Sequence, residues 1–115
     1  MSKTLEKITK HYHKEIGGEA MKFHVDEWDM DIFYKRTYPF RVESKVLEMQ
    51  SKGQIVEALV ESLIQKALDG KGKRIFDEAD RSVLMNEADP SVITKVAGVI
   101  NNAALKPKVE ELVKE

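Results

Sequence analysis

Residues 21–35 read Met21-Lys22-Phe23-His24-Val25-Asp26-Glu27-Trp28-Asp29-Met30-Asp31-Ile32-Phe33-Tyr34-Lys35. Met21, Phe23 and Val25 alternate with polar neighbours; Trp28, Met30, Ile32 and Tyr34 do the same. The apolar set moves from odd to even positions between 25 and 28. One flat strand cannot do this, because strand side chains alternate strictly between two faces. A hairpin over 20–36 that turns at Asp26-Glu27 can. It would set Val25 opposite Trp28, Phe23 opposite Met30 and Met21 opposite Ile32, all on one side. Asp-Glu is a poor two-residue turn, so a longer loop or a bulge is the alternative. Two strands alone are barely stable, so the ribbon must lean on helices or on another chain.

On either side the period is helical. Leu5, Ile8, Tyr12 and Ile16 are spaced three, four and four apart and make one thin stripe over 3–16, ended by Gly17-Gly18 with glycine in the left-handed position after the helix. Pro39 marks the start of a helix over 39–52. Val42, Val46 and Met49 form one side of it, and Phe40 and Leu47 lie nearly opposite. The strongest helix signal is 54–68, where Ile55, Val56, Leu59, Val60, Leu63, Ile64 and Ala67 cover half the wheel and Glu57, Glu61 and Gln65 take the exposed side. Asp69-Gly70-Lys71-Gly72-Lys73 reads as a turn, after which Ile75 and Phe76 return to the core. A short helix at 78–87 follows, then one at 90–102 opened by Asp89-Pro90. The expected fold is α+β and mostly helical: an N-terminal helix or extension (1–18), then one core domain (19–102) made of the hairpin and a compact bundle of about four helices. Residues 103–115 are expected to be a flexible or weakly helical tail.

The 115 residues suit one domain, and 19 basic against 20 acidic residues give a net charge of −1. Neither end is a polybasic arm, so nucleic acid and anionic membrane are not expected partners. There is no cysteine, which removes disulfide, thiolate and cysteine–zinc chemistry. The apolar runs are too short to span a bilayer, and the first residues lack a signal peptide's apolar stretch, so a cytoplasmic protein is expected.

Chemistry-bearing patterns are sparse. His11 and His13 point about 200° apart on a helix and cannot share an ion there. The 69–73 loop puts lysines where a calcium loop needs oxygen ligands and lacks P-loop spacing. Asp26, Glu27, Asp29 and Asp31 cluster near the hairpin tip, with His24 on the same strand face, and read as solvated carboxylates. No catalytic residue, cofactor or metal site is expected. Aromatic residues say more. Phe33 faces away from the core-forming side and is soon followed by Tyr38 and Phe40. With Leu47, these are the expected partner-binding residues, a sticky patch for another polypeptide.

Three stretches then resemble the small tail assembly chaperones of long-tailed, siphovirus-type bacteriophages. Glu27-Trp28-Asp29-Met30-Asp31-Ile32-Phe33-Tyr34-Lys35 is similar to that family's EW…I-Y-Y-K strand. Gly53 to Phe76, with Asp69-Gly70-Lys71-Gly72-Lys73-Arg74-Ile75-Phe76 at its end, is similar to its apolar helix and D-x-x-G-K-x-x-F loop. Leu84-Met85-Asn86-Glu87-Ala88-Asp89-Pro90-Ser91-Val92-Ile93 is similar to its L-M-x-E-x-D-P-x-V-I segment. The likeness runs in order over about 20–102. It departs at Thr37-Tyr38-Pro39-Phe40, where many relatives read Thr-x-x-Glu.

The resemblance implies a non-enzymatic protein of the infected host's cytoplasm, not in the mature virion. Such a protein binds the tape measure protein, keeps it soluble and helps recruit tail tube protein subunits. A longer frameshifted product is often made beside it. The family offers no catalytic residues to carry over. Self-association is a further expectation. The competing reading is a small intracellular regulatory or protein-interaction module, with nucleic acid as one target if the helices around Gly53 formed a helix-turn-helix. An enzyme built around His24, Asp29 and Asp31 ranks last.

Overall fold

The computed structural model describes residues 2–101. The alternating stretch forms an antiparallel hairpin, β1 (Met21–Val25) and β2 (Met30–Tyr34). Its register differs from the expected one. Val25 pairs with Met30, Phe23 with Ile32 and Met21 with Tyr34. The two-residue turn is replaced by a 3-10 turn over Asp26–Trp28 closed by Asp29 at φ 48°, whose N–H donates to the Asp26 carbonyl at 3.2 Å. The reason is conformational. A two-residue hairpin turn needs glycine or asparagine at positive φ, and Asp-Glu supplies neither. The longer turn needs one left-handed residue, which aspartate tolerates. The pairing slides by two, so every side chain keeps its face. Val25 and Ile32 remain buried, while Trp28 leaves the strand and meets Phe76 edge-on, with ring centroids 6.3 Å apart.

The ribbon does not stand alone. Phe33 exchanges two backbone hydrogen bonds with Leu68, at 2.9 and 2.7 Å, so one residue after the third helix extends the sheet edge. Lys95 donates to both Glu27 carboxylate oxygens, at 2.8 and 2.9 Å, and ties the hairpin turn to the last helix.

The helices are α1 (Lys3–Ile16), α2 (Phe40–Ser51), α3 (Ile55–Lys66), α4 (Arg81–Asn86) and α5 (Pro90–Asn101). Ser2 caps α1 by accepting the Leu5 N–H at 3.1 Å. Gly17 ends α1 at φ −85°, outside the left-handed region expected for it; a Cβ there would lie 2.9 Å from the His13 carbonyl oxygen, so close approach explains the glycine. The 78–87 segment is a 3-10 turn, Glu78–Asp80, running into α4, with Asp77 and Asp80 capping each other's backbone N–H groups. The expectations for residues 102–115 lie outside the described residues.

α3 is the central element. Ala58, Val60, Leu63 and Ile64 on it are buried with Val25 and Ile32 of the hairpin, Leu84 of α4, and Val92, Ile93, Val96 and Ile100 of α5. Each valine, leucine and isoleucine among them contributes roughly 1.5–3 kcal/mol when fully buried. One expectation about α3 is overturned: Glu61 is fully buried, not solvent-facing, and Ser62 and Lys66 are buried with it. α2, α4 and α5 all pack on α3, so even its polar side is covered. Among the described residues, no helix is long and apolar enough to cross a membrane.

Candidate functional site

The four expected partner-binding residues take two different positions. Phe33 lies on the outer face of β2, but its ring rests against the 69–73 turn, where a Cβ on Gly70 would sit 3.6 Å from it. Its backbone N–H and carbonyl are both engaged with Leu68. Tyr38 is also drawn into the fold. Its hydroxyl accepts the Lys35 N–H at 2.9 Å and donates to the Lys66 carbonyl at 2.7 Å. Burial pushes the Tyr38 phenol up to about 12. Both residues are half-buried and hold the chain between β2 and α2 against α3.

Phe40 and Leu47 project. Phe40 is 79% exposed and Leu47 is 55% exposed. They are seven residues apart on α2, so they lie on one side, two turns from each other. The opposite side packs inward through buried Val46 and half-buried Val42 and Met49. Just past the turn from α2, Ile55 and Val56 of α3 are also exposed. The apolar surface of this helical hairpin is therefore larger than its core needs.

The inward side of α2 is fixed by charge. Glu43 of α2 pairs with Lys66, and Lys45 of α2 with Glu61 at 3.4 Å. Glu61 also takes hydrogen bonds from Arg81 and, at 2.8 Å, from Gln65. Burial acts to raise the Glu61 carboxyl, but the Arg81 and Gln65 hydrogen bonds and the Lys45 and Arg81 charges outweigh it and hold it below its ordinary value. Lys66 donates to Asn101 at 3.0 Å and sits over the Tyr38 ring, 5.4 Å from its centroid. Asn101 in turn donates to Ser62 at 3.0 Å. Among the described residues no buried side-chain polar atom lacks a partner. With these groups hydrogen-bonded, the network positions α2.

The sequence pattern does not show this network. Glu61 looks like the solvated side of an amphipathic helix, and Lys66 falls among the apolar positions with no partner visible in the sequence. Only the breadth of the apolar face on this helix hinted that other elements would cover its polar side.

His24 and its carboxylates do come together. The His24 ring Nδ1 is 2.9 Å from Asp31, across the strand pair, and its Nε2 lies 3.6 Å from Asp26 and 3.9 Å from Asp29. The Asp31 hydrogen bond, then the nearby negative charges, raise the imidazole above its ordinary value. The cluster is exposed on the ribbon. Among the described residues, no group of three or more His, Asp or Glu is placed to hold a metal ion. A shallow cleft of about 160 Å³ between the end of α2 and the start of α3 is lined by Lys45, Glu48, Met49, Lys52 and Gln54. That is below the roughly 300–1,000 Å³ of small-molecule pockets.

Comparison with protein-family models, curated proteins and solved structures gives no match for this chain.

Proposed function

We propose that the chain is a tail assembly chaperone of a long-tailed bacteriophage: it binds the tape measure protein in the host cytoplasm, keeps it soluble and helps bring tail tube subunits to it. The motifs in 27–35, 53–76 and 84–93 supply the family likeness. The observation that carries the physical side is the exposed pair Phe40 and Leu47, on a helix whose other side is already anchored. A holding protein needs apolar surface that remains free after its own core is complete, and surrounding charge that keeps it in solution. Glu48, Gln50 and Lys52 provide polar surroundings near Leu47. An amphipathic client helix laid along α2 would cover Phe40 and Leu47 together, two turns apart on both partners.

Co-expression tests the reading. A fragment of a tape measure protein that is insoluble alone is expected in the soluble fraction with this chain, and not with the Phe40→Asp, Leu47→Asp double variant. A fragment that stays insoluble with the unaltered chain would contradict the reading.

A further inference from the structure

Helix α1 is complete, capped and almost uncovered. None of its residues is buried; Leu5 is 50% and Ile8 57% exposed, and Tyr12 and Ile16 are half-buried. A lone helix of fourteen residues is marginal in water, and its stability ordinarily comes from packing its apolar side. At 100° per residue the four apolar side chains occupy a narrow stripe, and Lys3, Lys7, Lys10 and Lys14 form a second stripe directly opposite.

This layout chooses among occupants. A helix lying in a bilayer interface wants a broad apolar face with lysines at its borders, reaching up to the headgroups. Here the lysines point the other way. A narrow seam with three-and-four spacing fits another helix carrying the same seam. Lysines on the far side then stay in water.

Charge selects the orientation. α1 carries a net +2, whereas residues 17–101, with 12 basic and 15 acidic residues, carry −3. Two copies paired parallel would bring two acidic bodies side by side. Paired antiparallel, the bodies sit at opposite ends, and each basic helix runs toward the other copy's acidic body. Ile8 then packs by Tyr12 of the other copy and Leu5 by Ile16. We infer that α1 is a self-pairing element, and that two copies of the chain associate through antiparallel contact of the Leu5, Ile8, Tyr12 and Ile16 stripes. Four side chains per copy are far fewer than the roughly 20–30 residues a side of a standard interface, so the dimer is weak and depends on concentration. It uses a different face from Phe40 and Leu47 and does not rest on the proposed client.

Sedimentation of the full chain from roughly ten micromolar to one millimolar tests it. The average mass should rise from 13.1 kDa toward twice that value and no further. Ile8→Lys and, independently, Leu5→Lys should remain at the monomer mass. Neither residue is buried, so the body should keep its fold by circular dichroism. Phe40→Asp should associate like the unaltered chain. Because the chain has no cysteine, Thr9→Cys adds a single thiol beside the two-fold axis. It should form a disulfide dimer on mild oxidation, and adding Ile8→Lys should prevent it. A monomer at every concentration, unchanged association of the lysine variants, loss of association in Phe40→Asp, or growth beyond the dimer would each overturn the inference.

Discussion

Glu61 and Tyr38 carry more of the fold than their residue types suggest. Glu61 accepts from Arg81 and Gln65 and pairs with Lys45, and its removal breaks all three contacts, although Arg81 and Lys45 can still reach water. Glu61→Ala should cost about 1–3 kcal/mol in urea unfolding. The sign of its pH effect follows from its lowered pKa. The unfolded chain binds the proton more readily, so the stabilisation is present above the ordinary value of 4.5 and is lost as pH falls through the folded value. Glu61→Gln should flatten the acid side of the stability curve. Tyr38→Phe removes the bridge between the Lys35 N–H and the Lys66 carbonyl and should cost about 1–3 kcal/mol. Client binding should be untouched, which separates Tyr38 from Phe40. His24 should titrate above 6.5 by NMR, and Asp31→Asn should bring its midpoint down. The sequence could not separate Phe33 and Tyr38 from Phe40 and Leu47. An aromatic in or after a strand looks the same whether a distant turn covers it or not; here Gly70 beside Phe33 and Lys66, 28 residues from Tyr38, decide it.

At the level of elements, helix positions were legible because each carried both an apolar period and a stop signal. Gly53 ends α2 at φ 78°, as the glycine between two helical patterns implied. Gly53→Ala should strain that turn at a cost of about 1–2 kcal/mol, read as a lower unfolding midpoint. The hairpin was legible in its faces but not in its register. Period-two patterning fixes which side a residue takes and is blind to a slide of two. That slide was set by turn chemistry at Asp26 to Asp29 and by the pull of Phe76 on Trp28. The crowding that buries Glu61 was invisible for a similar reason: a wheel shows one helix and not its neighbours.

The described residues form a helix-covered ribbon closed around α3, and the apolar side chains left outside that core include the stripe on α1 and the Phe40–Leu47 side of α2. The second supports the central claim that this surface grips another polypeptide. The most direct test is a titration of a purified tape measure fragment with the unaltered chain and with Phe40→Asp, Leu47→Asp, each variant first shown to keep its unfolding midpoint. Loss of two contacts of hot-spot size, about 2 kcal/mol each, predicts at least a hundredfold weaker binding by the double variant. Equal affinity of the two proteins, with both folded, would contradict the account.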